Sequence, residues 1–255
     1  MKLFKYLLNL IYPGQRHCLN CNQLLFKEEL RGICINCLDK ISFIDKYCEI
    51  CGCQVEDKVV NVLEYNGFSK VFVCKDCRKD KSFNFDKARS ISVYDGIMRD
   101  IIIEFKYEGK KEYAETLGKL LYIYYIKYYN RIKIDYLLPV PLHRKRKAER
   151  KFNQAQLMTA ELSNLINVPV LNNYMIRIRN NPPLYNLDFS QREKIMNNIF
   201  ILDNYINIDG KTILIIDDIF TSGSTVNQVA KVLKNQGGAG NVLVLTLAST
   251  NKIQL

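Results

Sequence analysis

Asp217 and Asp218 follow four apolar residues, Ile213 to Ile216, and precede a compact run of hydroxyls around one glycine, Thr221-Ser222-Gly223-Ser224-Thr225. Adjacent carboxylates can accept from adjacent hydroxyls, as in the diol of a ribose. Gly223 lets the loop turn several backbone N–H groups inward around one phosphate. Val226, Val229, Ala230, Val232 and Leu233 form the apolar stripe of a following helix, whose positive N-terminal end adds to that attraction. The order is strand, acidic pair, hydroxyl loop, helix, with the acids placed at the strand end. In an open α/β sheet, ligands lie beyond the carboxyl ends of the strands. No GxxxxGK[ST] run occurs here, which excludes a Walker loop. A buried strand with a merely polar turn is the plainer alternative, but two adjacent acids after four buried residues suit packing poorly.

Ile213 to Thr225 resembles the binding motif for 5-phosphoribosyl 1-diphosphate (PRPP) of type I phosphoribosyltransferases. The resemblance implies that Asp217 and Asp218 hold the ribose 2′- and 3′-hydroxyls. It implies that Thr221, Ser222, Gly223, Ser224 and Thr225 hold the 5′-phosphate.

Other elements must position this unit. Asp209-Gly210-Lys211 is a turn signal, and the short apolar run after it suits a strand buried on both faces. Asp135 to Val140 reads as a second buried strand, ending in Pro139-Val140-Pro141-Leu142. Arg144, Lys145, Arg146, Lys147, Arg150 and Lys151 come next, six cations against the single acid Glu149. A basic run is usually a solvated face. Here it follows a strand end of the same expected sheet, so it can reach the phosphate loop and neutralise a leaving pyrophosphate. Contact with nucleic acid is the other functional reading.

Further along, Phe83 to Tyr94 reads as strand, Asp100 to Tyr129 as two helices about a turn at Glu108-Gly109, and Phe152 to Asn167 as an amphipathic helix. Val168 to Leu171 reads as a short strand, Met175 to Gln191 as a lid-like loop carrying Arg177 and Arg179, and Asn241 to Ala248 as a last buried strand. The tyrosines at 122, 124, 125, 128 and 129 read as packing with wet hydroxyl edges rather than a base-stacking platform. Strands alternating with helices predict a parallel α/β sheet.

Eight of nine cysteines fall in close pairs, Cys18/Cys21, Cys34/Cys37, Cys48/Cys51 and Cys74/Cys77. Each pair can place two thiolates on one ion, and sequential pairing gives two tetrahedral Zn2+ sites. Twelve residues separate the first two pairs and twenty-two the second two, so both loops can close as ribbons. Cys53 is the spare, though it could replace Cys51; His17 reads as a bystander, and redox cycling of a CxxC is a weaker alternative. A four-cysteine site has no open position, so such zinc is structural. Residues 13–80 hold few apolar residues, so metal ligation would supply much of their folding energy.

With 255 residues and 48% hydrophobic content the chain has room for one substantial domain and a small one. A formal charge of +11 points to polyanionic partners. Met1 to Tyr12 lacks a cleavage site and is interrupted by Lys5, so it reads as an amphipathic helix, and no stretch is long enough to span a bilayer. A cytoplasmic location with reduced cysteines is expected.

The whole arrangement resembles the ComF family: a cysteine-rich start, a Pro-Val-Pro-Leu strand end, an Arg/Lys run before Phe-Asn-Gln, and the PRPP motif. Lys151, Leu184 and Ile195 depart from the glycine, glutamine and asparagine usual there. The resemblance implies an α/β type I phosphoribosyltransferase fold with a small N-terminal double zinc ribbon. It divides the chain into residues 1–12 (helix), 13–82 (double ribbon) and 83–255 (phosphoribosyltransferase-like). It implies Mg2+ bound with PRPP, a role in DNA uptake during natural transformation, and as partners PRPP, single-stranded DNA, the competence helicase and other uptake proteins. A non-catalytic DNA-binding or protein adaptor on the same fold, and a nucleobase salvage enzyme, are the rival expectations.

Overall fold

A computed structural model describes residues 17–25, 32–55, 61–65, 69–78, 83–179, 199–203 and 206–250. The expected helix at 1–12 lies outside them, as do Pro182, Pro183, Leu184, Arg192 and Ile195. The chain forms α1 (Ile35–Leu38), a hairpin of β1 (Asn61–Tyr65) and β2 (Ser69–Val73), and α2 (Lys75–Arg78). Then come β3 (Lys87–Val93), α3 (Gly96–Ile103), a π-helical turn at Glu104–Glu108, and α4 (Tyr113–Tyr129). β4 (Tyr136–Pro139) leads into α5 (Arg144–Arg150) and α6 (Gln154–Ile166), followed by the antiparallel pair β5 (Met175–Arg177) and β6 (Phe200–Leu202). β7 (Thr212–Phe220), α7 (Ser224–Asn235) and β8 (Asn241–Ser249) complete the described chain.

The central sheet is parallel, in the order β3-β8-β7-β4, with Val170 adding a single parallel bridge to Leu137. Successive side chains along a strand point to opposite faces. Leu214 and Ile216 therefore enter a core with α3, α4 and α6, whereas Ile213 and Ile215 enter one with α7. Apolar residues at every position of the run are the consequence of helices covering both faces. Tyr129 is wholly buried and donates its hydroxyl to the Val244 carbonyl at 2.9 Å, and Tyr124 is buried too, so two of the five tyrosines are core residues.

The cysteine-rich segment shares these cores. Cys18, Cys34 and Cys37 join the first, and Cys48, Cys51, Cys53 and Cys77 the second. The segment between them runs along the outer edge of β3, where Ile44 N–H donates to Ile91, Val93 N–H to Ser42 and Ala88 N–H to Ile50. This satisfies backbone groups that an open sheet edge would expose. Gly52 lies against that edge in the left-handed region (φ +69°), and a Cβ there would come within 2.4 Å of the Ala88 carbonyl oxygen. Among the described residues no helix is long and apolar enough to cross a membrane.

Two expectations change and one element is added. β7 does not end at the acids but continues to Phe220, because β8 stays paired with it as far as Phe220↔Ser249. The basic run, to which no element was assigned from the sequence, is a helix capped by His143, whose Nδ1 accepts from Lys145 N–H at 3.3 Å. Met175 to Arg177 is a strand, paired with Phe200 to Leu202, rather than the start of a loop.

Candidate functional site

β4 leaves β7 at Pro139↔Ile216, and Val140 N–H donates the last bond to Ile216. Beyond that point β7 is paired only on its β8 side, so Asp217 and Asp218 face the gap that β4 vacates. The pleat sends the two carboxylates different ways. Asp218 meets Lys106 of the π-helical turn, Oδ2 to Nζ at 2.9 Å, with the side chains 15% and 12% exposed. Asp217 turns toward β5, and its Oδ1 accepts from the Asp218 N–H at 2.9 Å. Burial, then the Asp218 charge, pushes the Asp217 carboxyl up to about 7, while Lys106 and Arg177 oppose the rise.

Arg177 is buried in β5 with its guanidinium 5.8 Å from the centre of the Phe200 ring. Burial and the charges of Arg146 and Arg150 bring it down to about 10, with Asp217 acting the other way. Arg146 and Arg150 thus lie near Arg177, which in turn lies near Asp217, and positive charge gathered in this way favours an arriving anion. Arg150 stacks over Tyr107, 5.1 Å from its ring centre, and donates to Gln154 Oε1 at 3.4 Å. Arg146 and Arg150 are the half-buried pair of α5, whereas Arg144, Lys145, Lys147 and Lys151 are exposed.

The Phe152-Asn153-Gln154 segment fixes this geometry. Asn153 caps α6 by accepting from Ala155 N–H at 3.1 Å and donates to the Val140 carbonyl at 3.0 Å, tying the helix to the end of β4. Gln154 Nε2 donates to the Phe105 carbonyl at 3.3 Å and so holds the turn that carries Lys106.

In the hydroxyl loop, Ser222 and Ser224 are buried with their hydroxyls 2.7 Å apart, Thr225 is half-buried and Thr221 exposed. Gly223 begins α7 at φ +78°, and a Cβ there would meet Phe220 at 2.6 Å and Phe83 at 3.1 Å. Only glycine meets both demands. Asn227 Oδ1 accepts from both Asn84 nitrogens, the backbone one at 2.6 Å, which anchors the start of α7 to the segment before β3.

Sequence reasoning did not single out Lys106, which lies in an otherwise ordinary helical pattern. It placed Arg177 in a lid rather than beside the acids. The alternation of Met175, Ile176 and Arg177 is too short to mark a strand.

Residues 145–252 match the model of the phosphoribosyl transferase domain. The chain is 27% identical over 224 residues to Competence protein F of Haemophilus influenzae, covering 86% of this chain and 91% of that protein. It is 26% identical over 229 residues to Competence protein ComFC of Bacillus subtilis, covering 84% and 83%. The DNA utilization protein YhgH of Escherichia coli matches at 26% over 153 residues, 59% of this chain and 66% of that one. These likenesses bear out the resemblance to the ComF family.

Lys151, one of the departures from the ComF pattern, ends α5 at φ +66°, a left-handed conformation in which a side chain is strained. That accounts for glycine as the residue usual at this place. Lys151→Gly is expected to stabilise the protein by about 0.5–1 kcal/mol, since release of the left-handed strain exceeds the extra freedom of the unfolded chain. A melting temperature raised by roughly 1–4 °C checks it; a lower one would contradict it.

Each predicted cysteine set is brought together. The sulfurs of Cys18, Cys21, Cys34 and Cys37 lie within 4.8 Å of one another, as do those of Cys48, Cys51, Cys74 and Cys77. Backbone N–H groups turn toward the sulfurs, Cys34 N to Cys18 Sγ and Cys74 N to Cys48 Sγ, both at 3.4 Å. Four converging thiols so supported fit one tetrahedral ion each, and the two sets could hold zinc. Cys53 is buried with its sulfur 3.4 Å from that of Cys51. His17 is exposed.

Proposed function

We propose that this chain binds PRPP with Mg2+ at the edge formed by Asp217 and Asp218 and acts in DNA uptake during natural transformation. The observation that carries the reading is an acidic pair that adjoins a buried hydroxyl loop and has Arg177 near it, with Arg146 and Arg150 close to Arg177. Asp217 and Asp218 accept from the ribose hydroxyls, and Thr221 to Thr225 surround the 5′-phosphate at the start of α7. Arg146, Arg150 and Arg177 then face the pyrophosphate. Mg2+ supplies charge neutralisation on that group, and the two carboxylates are the hard oxygen ligands nearby. Lys106, paired with Asp218 in the ligand-free protein, is released when the ribose takes its place.

In transfer, the bond from ribose C1 to pyrophosphate breaks with its electrons on the leaving group, and an incoming nucleophile bonds to C1. Arginines placed in advance around the departing charge would supply much of the rate. Residues 13–82 form the zinc-holding unit, of which Ser42 to Ile50 lie along the outer edge of β3, and residues 83–255 carry the site. The names of the similar proteins, which speak of competence and DNA utilization, support the biological setting.

Calorimetric titration with PRPP and Mg2+, with ribose 5-phosphate and pyrophosphate as comparison ligands, tests this. One PRPP per chain, bound more tightly than either fragment, is expected. No binding by the folded, zinc-loaded protein would overturn the reading in favour of an adaptor on the same fold.

A further inference from the structure

The cations of the basic run fall on different faces of α5. Arg146 and Arg150 are half-buried and lie near Arg177, whose charge they oppose. Arg144 and Lys147, one helical turn apart, instead line a cleft of about 210 Å3 between β4, α5 and β5. Among the described residues neither side chain has an ion-pair partner. Two cations at this spacing lie about 5–6 Å apart at their Cβ atoms and can close on the oxygens of one phosphate dianion.

The rest of the cleft has a different character. Its floor is apolar, with Leu138, Leu171 and Met175 all buried. Gln156, Asn172 and Asn173 line it with amides, which carry both donors and acceptors. Asp203, held beside β5 by its N–H bond to the Tyr174 carbonyl at 2.9 Å, adds a carboxylate acceptor. The volume, below the ~300–1,000 Å3 of drug-sized pockets, limits the occupant to one small molecule. A cationic end, an apolar floor and a hydrogen-bonding edge suit a single nucleotide.

We propose that this cleft is a second ligand site, which takes a nucleoside 5′-monophosphate with its phosphate between Arg144 and Lys147 and its base on the Leu138–Leu171–Met175 floor. The site does not depend on the PRPP reading, although Arg177 lines the cleft as well as facing Asp217. A ligand in the cleft therefore shares a wall with the acidic edge.

The test is equilibrium dialysis of labelled AMP against the full-length, zinc-loaded chain carrying Asp217→Asn/Asp218→Asn, which removes the acidic edge. Saturable binding of one AMP per chain is expected. Adding Arg144→Ala/Lys147→Ala should weaken it at least about tenfold, the scale of losing a charge-assisted phosphate contact. The charge-matched pair Lys211→Ala/Lys231→Ala, both exposed, should change it less than about twofold, as screened surface charges do. Absence of AMP binding in the first variant, no loss on removing Arg144 and Lys147, or an equal loss with the control pair would each overturn the proposal. A wild type that takes AMP but not PRPP would defeat the PRPP reading and leave this one standing.

Discussion

Replacing Asp217 and Asp218 together by asparagine is expected to abolish measurable PRPP binding, a loss of about 10²–10⁴-fold, since two charge-assisted hydrogen-bonding groups are removed at roughly 1.5–3 kcal/mol each. Calorimetry on both proteins measures it, and retained affinity would sink the assignment of the acids to the ribose. Unfolding is not the cause to fear, because Asp217 destabilises the ligand-free protein. Its carboxyl rises from an ordinary 3.8 to about 7 through burial and the neighbouring Asp218 charge. The folded state therefore binds a proton that the unfolded chain releases, and stability falls as pH rises from near 4 through 7. Asparagine has no such dependence. The single Asp217→Asn variant should accordingly melt above the wild type at pH 8.5, with the advantage shrinking toward pH 5.5. An advantage that instead grows toward acid would mean that Asp217 is an ordinary ionised carboxylate.

Removal of zinc should have the largest effect on stability. Both cysteine sets are built into the cores on the two faces of the sheet, and the segment between them covers β3. Zinc bound by four thiolates contributes on the order of 10 kcal/mol to small domains that depend on it, comparable with the whole stability of a typical protein. Metal analysis should find two zinc ions per chain. Stripping them with a strong chelator, or introducing Cys48→Ser, should lower the melting temperature by more than about 10 °C, given a few degrees per kcal/mol. An unchanged melting curve for metal-free protein would show that the thiols pack without an ion. The Cys53→Ser variant separates the spare from the ligands, since it should keep two zinc ions while Cys51→Ser loses one.

Much of the candidate site was legible because its chemistry is contiguous. Ile213 to Thr225 carries its own strand, acids, hydroxyl loop and helix start within one stretch, so type and spacing alone point to a ribose phosphate as its ligand. The cysteine pairs are equally local, and their sequential grouping is the one the structure brings together. Even the glycine usual at position 151 has a local cause, the left-handed backbone at the end of α5.

What only the tertiary structure decided are the contacts made across the chain. Lys106 reaches Asp218 because Gln154 holds the π-helical turn against β7, and no spacing in either segment announces that pair. Arg177 comes beside Asp217 because β5 folds back on β6 under the gap left by β4. The basic run had one appearance as a string of letters. As a helix it has a period of 3.6, which divides its cations between a half-buried pair near Arg177 and an exposed pair that lines a cleft. Composition and order thus determined which chemistry the chain carries, while the pleat of β7, the departure of β4 and the turn of α5 decided which groups share a site.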